Sequence, residues 1–245
     1  MWTRAELKSR AWEVLRSVYW KAVLVSLIIG VSSFQFANKS DHNQNSRWNR
    51  GVNISPSDIK EWFFPALAIM IVIGIIIVAS ILMRILLGYH LEVGGRRFFI
   101  KAAEEKEGRF ETLGYTFKGD RYANVTKTML IRGVSILLWT LLLIFPGIIK
   151  YYAYRMVPYI LAENPQLCHE RALEISDNMT MGQKFNMFVL DLSFIGWYIL
   201  GALTFGIGSI FIMPYVNATF AELYLTLKAQ AIDSGLCGAD ELKEC

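Results

Sequence analysis

The sequence predicts an all-α, polytopic membrane protein: a helical bundle of about six transmembrane helices with interfacial amphipathic helices. Three observations carry that reading. Of 245 residues, 54% are hydrophobic and only 19% charged, against about 25% charged in ordinary soluble domains. The apolar residues fall in runs long enough to cross a bilayer. A hairpin pattern also occurs twice: Ser135, Trp139, Phe145-Pro146-Gly147 and Pro158-Tyr159, then Ser193, Trp197, Phe205-Gly206-Ile207-Gly208 and Pro214-Tyr215.

Residues 1–17 read as a short amphipathic helix, with Ala5, Trp12, Leu15 and Tyr19 on one side beside Trp2 and basic residues elsewhere. Arg4, Lys8, Arg10 and Arg16 precede an apolar run that lacks a small-residue cleavage site, so the run at 18–37 is read as a retained first span. The polar stretch 38–61 has no hydrophobic period and is expected to be an external loop. Span two, 62–89, holds an unbroken Ile/Val core. It exceeds the roughly 20 residues a bilayer requires, so it is expected to tilt or protrude.

Gly94-Gly95 is expected to break that helix. After it, 96–107 can form an interfacial helix with Phe98, Phe99, Ala102 and Ala103 toward the membrane. Span three is placed at 130–145 and span four at 148–163. The break between them is assigned to Pro146-Gly147, because proline lacks the amide donor and glycine frees the turn. The segment 133–162 reads as one kinked helix or as a hairpin, and the repeat favours the hairpin. Residues 164–186 carry a further interfacial helix with Leu167, Ala172, Leu173 and Ile175. Spans five and six are placed at 187–203 and 209–228, followed by a polar tail with little to fold around. The whole chain, 1–245, is one membrane domain.

Lysine and arginine number four in 1–17, eight in 90–129 and two in 164–186, against four in the loop 38–61. The positive-inside bias then places both termini in the cytoplasm. The net charge of +4 is dispersed, and no nucleic-acid-binding pattern accompanies it. Cys168, Cys237 and Cys245 lack metal-ligand or redox spacing. No phosphate loop, nucleophile elbow or zinc-protease pattern is present. The expectation is no enzyme, no catalytic or metal residues, no cofactor and no nucleic-acid partner.

Ionisable groups inside spans are costly and therefore informative. Arg84 lies near a span end and can snorkel. Arg155 lies deep in span four among Tyr151, Tyr152, Tyr154 and Tyr159. It is either a buried arginine tied to hydroxyls and carbonyls or a cationic lining for a lipid phosphate or anionic solute. With Tyr154, Lys150, Asp191, Asn217 and Glu222 it makes up the candidate intramembrane polar site. Pro146, Gly147, Pro158, Gly206, Gly208 and Pro214 are the candidate hinges.

Several stretches carry a family resemblance. They are Tyr19-Trp20-Lys21-Ala22, the run from Phe145 to Tyr154, the run from Pro158 to Pro165, Ala172 to Ser176, Met181-Gly182, Phe194-Ile195-Gly196-Trp197, Gly206-Ile207-Gly208 and Pro214-Tyr215. Through them the chain resembles an uncharacterised family of bacterial integral membrane proteins, a domain of unknown function. The resemblance covers nearly the whole chain and is weakest at 38–60. It implies a multi-span helical protein of the bacterial cytoplasmic membrane and no established activity. The expected role is a non-enzymatic accessory or interaction component. Its partners are the lipid bilayer and either another membrane protein or a second copy. The alternative is a lipid or small-solute conduit between the repeated hairpins.

Overall fold

The computed structural model describes residues 3–32, 56–106, 108–117, 119–203, 207–238 and 241–242. Of the expected external loop at 38–61, residues 38–55 lie outside them, as do Trp2, Gly206 and the last three residues, whereas 56–61 are helical and open α2. The described residues form nine α-helices and no strand. Helix α1 (Arg4–Ser32) bends at Val18, the one residue inside it with non-helical backbone angles. That bend separates the amphipathic segment from the first apolar run. The buried face of the first half is Leu7, Ala11, Val14 and Leu15, whereas Trp12 is exposed. Of the side expected to hold Ala5, Trp12, Leu15 and Tyr19, Leu15 is buried and Tyr19 half-buried, while Ala5 is exposed with Trp12.

Helix α2 (Pro56–Met83) passes through one π-helical turn, Arg84–Gly88, into α3 (Tyr89–Glu105) without a break. The expected break at Gly94-Gly95 does not occur. Both glycines are buried inside α3, and a Cβ on Gly94 would lie 2.5 Å from the Leu113 carbonyl oxygen. Glycine here lets the 3-10 helix Phe110–Phe117 lie against α3. Phe98, Phe99 and Ala102 face protein, not membrane, packing among α1, α6 and α9. Amphipathicity establishes that a helix has an apolar face; it does not say whether lipid or protein covers it.

Helix α4 (Asp120–Leu142) and α5 (Ile144–Ala153) form a tight hairpin. Its turn is the single extended residue Leu143, not Pro146-Gly147. Pro146 sits in the first turn of α5, where a missing amide costs nothing. Gly147 provides the close approach: a Cβ there would clash with the Thr140 hydroxyl and lie 2.6 Å from the Thr140 Cα. The expected span 148–163 is two short helices, the 10-residue α5 and the 7-residue α6 (Val157–Glu163), joined at Tyr154–Met156. At 1.5 Å per residue, α5 covers only about 15 Å.

Helix α7 (His169–Thr180) buries Ala172, Ile175, Ser176 and Met179 against the other helices, so protein, not membrane, covers its apolar face. Helices α8 (Lys184–Leu203) and α9 (Ile207–Asp233) follow. Pro158 begins α6, whereas Pro214 lies inside the continuous α9, so the two prolines are not structural counterparts. The tail docks: Cys237 and Leu242 are buried, and Arg171 of α7 binds the Glu241 carboxylate through Nε at 3.0 Å and Nη2 at 3.1 Å.

Burial divides the molecule in two. A core of α3, α6, α7 and parts of α1, α4, α8 and α9 encloses Phe98, Phe99, Tyr224 and their neighbours. The described side chains of α2, the distal half of the α4/α5 hairpin and the α8 segment from Ile195 to Leu203 leave large apolar groups on the surface.

Candidate functional site: a buried network of arginines, tyrosines and carboxylates

The kink between α5 and α6 turns Arg155 into the bundle. Its guanidinium forks onto Asp191 of α8, with Nη1 bound to Oδ2 and Nη2 donating to Oδ1 at 2.9 Å. The Tyr152 hydroxyl donates to the same Oδ2 at 2.8 Å. The guanidinium carbon also lies 3.9 Å from the centre of the Phe220 ring of α9. Side-chain exposure is 16% for Arg155 and 30% for Asp191. A pair this sheltered loses most of its hydration, and only fork geometry and further hydrogen bonds offset that loss.

One turn earlier, Lys150 reaches Asp177 of α7 at 2.9 Å, and Lys184 at the start of α8 reaches the other Asp177 oxygen at 2.6 Å. Tyr154 contributes its backbone: its carbonyl accepts from Arg132 Nε at 2.8 Å, while its ring lies 5.1 Å from the Lys150 ammonium. Arg132 has Glu92 of α3 as its carboxylate neighbour at 3.8 Å.

Asn217 joins three helices. Its Oδ1 accepts from Arg96 of α3 at 2.7 Å, and its Nδ2 donates to Ser26 of α1 at 3.0 Å. Both bonds leave the α8/α9 pair and run to α1 and α3. Glu222 is buried on α9 near Arg10 and Glu13 of α1, away from the Arg155 pair. The structure thus gathers Arg155, Asp191, Lys150 and Tyr154, and adds Asn217 through Arg96, which packs 5.0 Å from the Tyr159 ring. Gly208 lies in the first turn of α9.

Sequence reading did not single out Arg132, Arg96 and Glu92 as members. The available signal was Arg132, an arginine inside the run assigned to span three. Among the described residues, no group of three or more His, Cys, Asp or Glu could hold a metal ion.

Asp177 yields a pH prediction. Burial alone would raise its pKa, but the hydrogen bonds from Lys184 and Lys150 outweigh that and hold it below the usual carboxylate value. A folded-state pKa below the unfolded one stabilises above the unfolded value, and that stability is lost as pH falls through the folded one. The melting temperature in detergent is expected to be level above about pH 5 and to drop below about pH 4. Asp177→Asn should reduce that acid-side drop relative to wild type, by about 1 kcal/mol or less because the group is partly solvated. Identical acid-side slopes would show that Asp177 carries no such contribution.

The described residues form an all-helical protein in which four helices are long and apolar enough to cross a bilayer, at 67–105, 121–142, 184–203 and 208–233. Residues 141–231 match the family model described as a protein of unknown function (DUF975). That match contains Arg155, Asp191 and Asn217 and leaves out the first 140 residues. No curated protein and no solved structure matches the chain.

Proposed function

We propose that this chain is a non-enzymatic accessory component of the bacterial cytoplasmic membrane, with both termini in the cytoplasm, that acts by binding another membrane protein. The observation that carries this reading is that the intramembrane polar groups are spent on one another. Arg155 is forked onto Asp191, Lys150 is tied to Asp177, and Asn217 is bonded to both Arg96 and Ser26. Groups committed in this way knit helices together and leave little to offer a passing solute. The lysine and arginine bias supports the orientation. The exposed cytoplasmic edge of α3, which holds Glu104, Glu105 and Lys106, supplies a charged face for a partner.

A second reading, an anionic lipid or solute held between the hairpins, draws on one specific observation. Arg96, Arg132 and Arg155 lie near one another, with Glu92 3.8 Å from Arg132 and Asp191 bound by Arg155, and Arg96 Nε is buried without a hydrogen-bond partner among the described residues.

Native mass spectrometry of protein extracted from its own membrane in mild detergent tests both. A stoichiometric protein partner that is lost in Glu104→Lys/Glu105→Lys, with the fold retained, supports the first reading. A homomer or monomer carrying an anionic lipid that disappears in Arg155→Leu overturns it in favour of the second.

A further inference from the structure

Helix α4 is long enough over its full length to cross a bilayer, but the part of the α4/α5 hairpin beyond Arg132 is too short to do so and too apolar at its tip to lie in water. Its base is fixed where Arg132 Nε meets the Tyr154 carbonyl. From that level the α4 arm (Gly133 to Leu142) and the α5 arm (Ile144 to Ala153) each rise about 15 Å. This is half of a hydrocarbon core about 30 Å thick. No charged side chain occurs between Arg132 and Lys150. The most exposed residues are at the turn: Leu141 is 83% and Phe145 82% exposed, with Leu142, Leu143 and Ile144 between them also open. A helix pair that crossed the membrane would place these five residues among headgroups or in water. Lowering the whole hairpin until the tip reached the far surface would carry Arg132, Glu92, Arg155 and Asp191 toward the midplane, the costliest position for charge.

The turn is also built for a dry setting. Irregular backbone exposed to lipid is normally excluded because its polar groups go unmet. Here only Leu143 leaves helical geometry. Its amide donates to Trp139 at 3.0 Å, and its carbonyl accepts from Gly147 at 3.2 Å. Pro146 removes one of the free donors that open every helix. The Thr140 hydroxyl is satisfied by the Ile136 carbonyl at 2.7 Å.

We propose that the α4/α5 hairpin is a re-entrant wedge: it enters and leaves the bilayer through one face and lodges its Leu141–Phe145 tip in the acyl chains near the midplane. The inference rests on the membrane reading above and replaces two of the six expected crossings with none. The occupant of the apolar tip is lipid hydrocarbon.

The test is nitroxide scanning in phosphatidylethanolamine/phosphatidylglycerol vesicles. Single cysteines are placed at Val134, Leu138, Leu143 and Ile149 in a chain whose native cysteines are replaced by alanine, with Ile75 of α2 as the spanning control. Collision with oxygen relative to a water-soluble nickel chelate reports depth. The expected result is a maximum ratio at Leu143, falling toward Val134 and Ile149. A maximum near Leu138 with Leu143 back at headgroup depth would overturn the wedge in favour of a full crossing. A Leu143 label immobilised and shielded from both reagents would overturn it in favour of a protein covering the tip. High nickel access at Ile75 as well would instead refute the membrane reading itself.

Discussion

Arg155→Leu should destabilise the folded protein by about 3 kcal/mol, because removing one partner leaves the other as an uncompensated, sheltered charge. Asp191 would lose both guanidinium bonds and keep only the Tyr152 hydroxyl. The measurement is thermal or denaturant unfolding in one detergent, followed for wild type, Arg155→Leu, Asp191→Leu and the double variant. The double variant should recover much of the loss, since replacing a buried pair with apolar groups is far cheaper than breaking it. Arg155→Lys should recover only part, as an ammonium cannot reproduce the planar fork. An unchanged melting curve for Arg155→Leu would show that the pair does not hold α5, α6 and α8 together. It would also return the arginine to the role of a solute-facing cation.

The second large effect belongs to Gly94→Ala. The added methyl would fall 2.5 Å from the Leu113 carbonyl oxygen and 2.9 Å from its Cα. These are backbone atoms and cannot rotate aside, so the 3-10 helix Phe110–Phe117 must shift as a unit. Overpacking of this kind costs about 1–3 kcal/mol, and the upper end is expected here. The shift would break the bond from the Thr116 hydroxyl to the His90 carbonyl and separate Arg97 from the Tyr115 ring. Limited proteolysis should show new cleavage between 106 and 119 together with a lower melting temperature. Gly74→Ala on α2 is the matched control, because a Cβ there meets nothing within 4 Å. Equal behaviour of the two variants would mean that the close approach at Gly94 is not needed.

Helical class and the positions of α8 and α9 were legible because long apolar runs have few alternative structures. The boundary read at 17/18, where composition changes from basic amphipathic to apolar, coincides with the bend at Val18. The failures have separate physical causes. Periodicity reports that α3 and α7 each own an apolar stripe, yet the same stripe fits lipid or protein, and in both helices protein took it. The turn at Leu143 was misplaced because proline breaks a helix only in its interior and is harmless in a first turn. Gly94 was misread as a breaker because close packing and chain reversal draw on the same missing side chain. In the site, Arg155 stood out because its depth in a run was visible. Its acceptor Asp191 was named, but the pairing was not, since residues 36 positions apart meet only once the bundle forms. Arg132 went unnoticed because its acceptor is a main-chain carbonyl that no side-chain pattern advertises.

The packing of the first helix against the last has a consequence for how the protein is made. Helix α1 finds its most extensive packing on α9, and Asn217 fastens Ser26 to Arg96. During synthesis the N-terminal helices therefore leave the ribosome long before the surface that covers them exists. Until residue 217 and its neighbours emerge, Leu7, Ala11 and Leu15 have only part of their shelter. A nascent chain stopped before α9 would present an open apolar seam to chaperones and membrane proteases. Completion of α9 then closes that seam.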